Sequence, residues 1–217
     1  SSVGIYGGTS KVTIYRPLLT KRIVDTFGAK RVLDVCVGWG GRMLGSVCLE
    51  GVHYTGIEPC EKTYNGLSNI VNELELGDQV TLYHDVAENV LPQLTETYDL
   101  ALTSPPYYNL ELYSDETTQS HQYGDYKSWI DKFLRPVVFG VLDHLKEDGH
   151  SCWSVKNFKT DKHYPLYDDI VELHAQRGWV KLEREFYIGN CLRPGLKDED
   201  GNARKSKEST FVFVKEI

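Results

Sequence analysis

The sequence predicts a single α/β domain built on a mostly parallel sheet, and three observations carry that prediction. Short apolar runs alternate along the chain with segments of helical period, the pattern of strand–helix–strand units. The first run passes through a glycine-rich turn into a helix, over Leu33-Asp34-Val35-Cys36-Val37-Gly38-Trp39-Gly40-Gly41. Three of the runs end on polar residues, and in open α/β sheets that edge is where ligands collect. A length of 217 residues suits one domain.

Ser1 to Ser10, with Gly4, Gly7 and Gly8, reads as a flexible lead-in. A helix is expected from Pro17 to Phe27, because proline is pre-organised for a first turn and Leu18, Leu19, Ile23, Val24 and Phe27 recur at helical spacing; Gly28 ends it. Arg31 to Val37 reads as a buried strand, and Met43, Leu44, Val47 and Cys48 as the helix after the turn. Val52 to Glu58 is a second strand, Tyr64 to Leu74 a helix, and Val80 to His84 a third strand. Tyr98 to Leu102 is a fourth strand and runs into Thr103-Ser104-Pro105-Pro106-Tyr107.

A tyrosine-rich stretch follows from Tyr108 to Tyr126, long enough to act as a lid or binding loop. Trp129 to Leu145 is helical by period, with a kink or break expected at Pro136. Lys146 to Gly149 closes that helix and Ser151 to Val155 is a fifth strand. Tyr167 to Arg177 is a helix stopped by Gly178. Lys181 to Ile188 and Thr210 to Val214 read as an antiparallel pair with an elaborated connection over Gly189 to Ser209.

Composition sets bounds. A net charge of -7 argues against a surface that clamps nucleic acid over its whole extent. Arg193, Lys197, Arg204, Lys205 and Lys207 nonetheless form a local basic cluster, either a solvated loop or a phosphate-contacting flap. The five cysteines are odd in number and scattered, with neither disulfide-framework nor zinc-ligand spacing, so reduced thiols in the cytoplasm are expected. There is no run of 18 or more apolar residues and no basic-then-apolar leader in this sequence, which leads us to expect a soluble, intracellular chain with no membrane partner.

The strand ends carry the chemistry. Two consecutive prolines hold the 103–107 loop rigid and leave its carbonyls free to accept hydrogen bonds, while Ser104 adds a hydroxyl and Tyr107 a ring face. Rigid acceptors beside an aromatic plate suit the exocyclic amine of a flat heterocycle. The plain reading of the same residues is a double-proline turn with an incidental tyrosine. Glu58 stands 20 residues after Gly38, where a carboxylate accepts from both hydroxyls of a ribose. Asp85 can accept from the amino group of an adenine.

Together these residues resemble the S-adenosylmethionine-dependent amino-methyltransferases that modify exocyclic amines of DNA bases, over nearly the whole chain. The most specific part is Thr103-Ser104-Pro105-Pro106-Tyr107-Tyr108-Asn109-Leu110, similar to the catalytic segment of N4-cytosine methyltransferases; adenine-directed relatives more often begin it with Asp or Asn. Leu33-Asp34 through Gly38 and Gly40 resembles the methionine-binding turn, although Cys36, Val37 and Trp39 depart from the residues usual there. Tyr15-Arg16-Pro17 resembles the segment flanking the methionine end of the cofactor.

The resemblance implies a Rossmann-like methyltransferase fold: a mostly parallel seven-stranded twisted sheet, helices on both faces and an antiparallel strand near the C-terminus. It implies S-adenosyl-L-methionine as cofactor, held by Tyr15, Arg16, Pro17, Asp34, Gly38, Gly40, Glu58, Pro59, Asp85, Val86 and Thr103. Ser104, Pro105, Pro106 and Tyr107 are then catalytic, Tyr108, Asn109, Tyr113, Arg193 and Lys205 contact the substrate, and no metal is required. The implied reaction is direct methyl transfer to a flipped base in DNA, N4 of cytosine first and N6 of adenine second, with RNA bases or a side-chain amide as further acceptors. The family's sizeable target-recognition region has only two short counterparts here, 108–126 and 189–209. Specificity is therefore expected to be low or to come from a second chain, as a homodimer or a separate specificity subunit. A non-catalytic partner of the same fold is the alternative from another class. Cys60, in the only Pro-Cys pair, is read as a small packed residue and not as a nucleophile.

Overall fold

The computed structural model describes residues 14–108, 124–160, 162–187, 191–197, 203–206 and 209–216, with the backbone alone described in 191–197 and 203–206. The expected lead-in, Asn109, Tyr113 and most of the tyrosine-rich stretch lie outside the described residues.

The chain begins with α1 (Pro17–Phe27), whose proline occupies the first turn and whose C-cap, Gly28, takes a left-handed φ of 60°. There follow β1 (Arg31–Asp34), α2 (Gly41–Val47), β2 (His53–Ile57), α3 (Glu61–Glu73), β3 (Val80–Tyr83), α4 (Ala87–Val90) with a short 3-10 turn, and β4 (Tyr98–Thr103). Next come α5 (Tyr126–Trp129), a π-helical turn (Ile130–Leu134), α6 (Arg135–Asp143), β5 (Leu145–Ser154), β6 (Phe158–Lys159), β7 (His163–Tyr164) and α7 (Leu166–Ala175). The chain continues through β8 (Trp179–Tyr187), β9 (Cys191–Lys197), β10 (Ala203–Ser206) and β11 (Ser209–Lys215).

Seven strands form one sheet in the order β3-β2-β1-β4-β5-β11-β8. The first five run parallel, and β11 pairs antiparallel with both β5 and β8. Alternation along the central strands feeds two cores. Leu33, Ala101, Trp153 and Phe213 point into one with α6 and α7, and Val32, Leu100, Leu102, Cys152 and Val212 into the other with α1, α2 and α3. This is the period-2 signature of a sheet covered on both faces.

Three local departures have physical causes. The helix expected from Trp129 to Leu145 is interrupted by the π-helical turn, which ends where Pro136 enters the first turn of α6; the missing proline N–H would have bonded the Lys132 carbonyl. Lys146 to Gly149, expected as a bend before the strand, lies inside β5 as a bulge, with the register against β4 shifting between Tyr98 and Leu100. A side chain on Gly149 would meet the Lys146 carbonyl at 2.9 Å, which is why glycine stands there. The connection after β8 is not purely polar loop, since β9 and β10 pair antiparallel within it. Among the described residues, no helix is long and apolar enough to cross a membrane.

Beneath the sheet sits a histidine whose protonation is tied to folding. His174 is fully buried, its Nδ1 lies 2.8 Å from the Ile170 carbonyl and its Nε2 2.9 Å from Ser151 Oγ. The carbonyl can only accept, so Nδ1 carries the proton and Nε2 accepts from Ser151, which itself accepts from Trp153 Nε1 at 2.8 Å. Burial pushes the His174 pKa down to about 4, only partly offset by the Ile170 carbonyl. The unfolded chain therefore takes up a proton near pH 6.5 that the folded chain refuses until about 4. Stability from this group is complete above the unfolded pKa and falls as pH drops through that window, by about 3 kcal/mol in all at ~1.4 kcal/mol per unit. Urea unfolding between those pH values measures the slope, and a His174→Gln variant should lose it.

Candidate active site

The carboxyl ends of β3, β2, β1 and β4 lie side by side at one edge, and each supplies a polar group. After β1 the backbone turns at Gly38 and Gly40, which take φ of 58° and 80°, a region that disfavours side chains. The glycines do different work. A Cβ on Gly38 would enter open space, with nothing within 4 Å, so the turn presents bare backbone there. A Cβ on Gly40 would strike Leu67 at 2.7 Å, and one on Gly41 would lie 1.9 Å from the Tyr15 carbonyl. Gly40 and Gly41 thus let α3 and the 14–16 segment close on the turn. Trp39, between Gly38 and Gly40, is 54% exposed.

Glu58, one residue past β2, accepts from Gly38 N–H and Cys60 N–H, each at 2.9 Å. Burial raises its pKa above the usual carboxylate range, partly offset by those two N–H bonds and countered further by Arg42. Two backbone donors occupy part of a carboxylate's roughly four acceptor directions, so the group both fixes the turn and keeps capacity for a ligand hydroxyl. Pro59 follows, half-buried, and Cys60 is the buried N-cap of α3. Asp85, two residues beyond β3, accepts from Val86 N–H at 2.7 Å and Asn89 Nδ2 at 3.0 Å, both on Oδ1.

At the end of β4, Ser104 Oγ donates to the Ser154 carbonyl at 3.1 Å. With its proton committed, the hydroxyl offers lone pairs to an incoming amine. Pro105 is buried and Pro106 half-buried. Tyr107, expected as an open stacking plate, is only 7% exposed and meets Phe158 edge-on at 5.1 Å. Phe158 in turn stacks on Tyr164 at 5.0 Å, and Tyr108 packs among Tyr126, Trp129 and Tyr164. The β6–β7 hairpin and α5 thus form an aromatic wall behind the loop, which the sequence reading did not assign.

Two of the residues assigned to the cofactor face inward. Asp34, expected to touch a cofactor, is fully buried and accepts from Arg42 Nε at 2.7 Å, Arg42 Nη2 at 3.3 Å, Tyr54 OH at 2.6 Å, Thr103 Oγ1 at 3.0 Å and Cys36 N–H at 3.2 Å. Thr103, also assigned to the cofactor, is 1% exposed and spends its hydroxyl on Asp34. Both support the turn from within. Burial works against the Arg42 charge, but Asp34 more than compensates and its pKa is raised. Arg42 also donates to the Cys36 and Val37 carbonyls and lies over the Tyr15 ring, 5.3 Å from its centroid. No role was read for Arg42 from sequence, yet an arginine opening an otherwise small and apolar helix after a glycine turn is a signal that could have found it.

Tyr15 OH pairs with Thr210 Oγ1 at 2.7 Å, exposed Arg16 caps α1 and Pro17 starts it. Arg193 and Lys205 lie on β9 and β10, and their side chains lie outside the described residues. Burial and the neighbouring Asp34 push the Cys36 thiol up, which keeps it protonated.

This architecture is the Rossmann-like fold of methyltransferases. No protein-family model matches the chain. A curated relative, the ribosomal protein L11 methyltransferase of Desulfotalea psychrophila (strain LSv54 / DSM 12343), is 26% identical over 162 residues, 75% of this chain and 43% of that protein. The chain thus spans less than half the length of that relative. Among solved structures, an rRNA methylase from Streptococcus thermophilus superposes with a TM-score of 0.57 at 14% identity, covering 94% of this chain and 99% of that one. The glycopeptide N-methyltransferase MtfA complexed with sinefungin gives 0.61 at 12% identity, covering 97% and 90%. At these identities the structural likeness is one of fold.

Proposed function

We propose that the chain transfers a methyl group from S-adenosyl-L-methionine to the exocyclic amine of a base in DNA, N4 of cytosine foremost. The observation that carries this reading is the succession of Glu58, Asp85 and Ser104 at neighbouring strand ends beside the bare backbone of Gly38. The fold supports the cofactor assignment, since a neighbour of the same architecture holds sinefungin, an analogue of that cofactor. The residues fit the group: Gly38 offers open space for its methionine end, Glu58 acceptor capacity for ribose hydroxyls and Asp85 Oδ2 an acceptor for the adenine amine.

Bound there, S-adenosyl-L-methionine supplies a methyl group already activated by its sulfonium charge. What remains for the protein is alignment. Ser104 Oγ and the Pro105 carbonyl accept the hydrogens of the target amine, turning its lone pair toward the methyl group; as the N–C bond forms the S–C bond breaks, and the nitrogen sheds one proton to solvent. Tyr107, backed by Phe158, limits how the base plane tilts. A base in a duplex must be extruded first, at a cost of a few kcal/mol. Transfer to a base in RNA is a second reading, favoured by the rRNA methylase among the structural neighbours.

Incubation with methyl-labelled cofactor and DNA or RNA, followed by nucleoside analysis, tests the proposal. Label in N4-methylcytosine from DNA is the expected result, label in RNA favours the second reading, and label in neither overturns both. The subsites separate by variant: Asp85→Ala should weaken cofactor binding about tenfold or more, one charged hydrogen bond, with turnover at saturation retained. Tyr107→Ala should do the reverse, lowering turnover while cofactor affinity holds, as read by calorimetry and single-turnover assays.

A further inference from the structure

We propose that Thr103 is a positioning residue, its hydroxyl anchoring the acceptor-binding loop to the buried Asp34–Arg42 pair and through it to the glycine turn. The inference rests on the methyl-transfer reading above and assigns the way its two halves are held in register. β1 and β4 are neighbours, and the last paired residues between them are Leu33 and Ala101. Two residues beyond Ala101, Thr103 Oγ1 reaches Asp34 Oδ1 at 3.0 Å, so a side-chain bond takes over where the ladder ends. On the other side of Asp34, Arg42 pairs with the carboxylate at 2.7 Å and also donates to the carbonyls of Cys36 and Val37, the backbone leading into Gly38. Tyr54 OH, from β2, closes the set at 2.6 Å. One buried carboxylate is thereby tied to the turn expected to hold the cofactor and to the residue immediately before Ser104.

Thr103 and Asp34 are both too buried to touch a ligand. Any influence on transfer therefore passes through the placement of Ser104 to Tyr107. In-line transfer is sensitive to such placement: a displacement of about 1 Å can cost on the order of a hundredfold in rate. Thr103→Val keeps the shape and removes only the hydroxyl, leaving Asp34 with Arg42, Tyr54 and the Cys36 N–H. Thr103→Ser restores the hydroxyl without the methyl group.

The test measures single-turnover methyl transfer to whichever of DNA or RNA the wild-type chain labels, and binding of S-adenosyl-L-methionine by calorimetry. We expect Thr103→Val to lower the transfer rate about tenfold or more, with cofactor affinity within about threefold of wild type, and Thr103→Ser to recover most of the rate. Thr103→Ala provides the same comparison with a smaller side chain should the valine not fit. A valine or alanine variant with wild-type rate overturns the inference, as does a parallel loss of cofactor affinity, which would place the effect at the glycine turn and not at the 104–107 loop. Failure of the methyl-transfer reading shows up differently, as absent binding or labelling in the wild type itself, and removes the inference with it.

Discussion

Replacing Arg42 with methionine should lower stability by about 3 kcal/mol, the low end of the roughly 3–5 kcal/mol seen when one partner of a buried ion pair is removed. The side chains of Arg42 and Asp34 are 6% and 0% exposed, so the aspartate left behind cannot recover its hydration. The low end applies because Tyr54, Thr103 and the Cys36 N–H remain as donors. The substitution also strips donors from the Cys36 and Val37 carbonyls, so the turn should loosen along with the core. Adding Asp34→Asn removes the uncompensated charge and should recover part of the loss. Urea unfolding without ligand measures both. A single variant within about 1 kcal/mol of wild type would place the pair at the level of an exposed bridge.

The second large effect is on cofactor binding. Glu58→Ala should weaken S-adenosyl-L-methionine binding about a hundredfold or more, since hydrogen bonds to a charged group contribute ~1.5–3 kcal/mol each and two ribose hydroxyls are at stake. The Gly38 and Cys60 amides also lose their acceptor, which frees the turn beneath the ligand. Glu58→Gln keeps one acceptor oxygen and should fall between the two. Unchanged affinity in the alanine variant would mean that Glu58 serves the turn alone.

Much of this was legible in the sequence because local signals agreed with the fold. Pro17 and Gly28 bracket α1 by backbone geometry alone. The apolar runs gave the parallel strands, and the glycine turn and strand-end acids gave the edge where the proposed site lies. Boundaries were less legible. β1 stops at Asp34, earlier than its apolar run, because the Asp34 carboxylate takes the Cys36 N–H and the chain turns away. α3 begins at Glu61, three residues ahead of the expected Tyr64, just after the Glu58 carboxylate takes the Cys60 N–H. What periodicity could not reveal was the sense in which a polar side chain faces. Asp34 and Thr103 sit at the correct strand ends yet point inward to Arg42 and to each other. The burial of Tyr107 depends on Phe158 and Tyr164, about fifty residues away in sequence, and nothing local announces that contact.

A crystal structure with S-adenosylhomocysteine would decide whether Gly38, Glu58, Asp85 and Ser104 line one ligand site. Density should run along the carboxyl edge of the sheet, with the methionine end over Gly38, the ribose on Glu58, the adenine by Asp85 and the sulfur facing Ser104. Density elsewhere on the molecule, or a ligand whose sulfur turns away from the 103–107 loop, would contradict it.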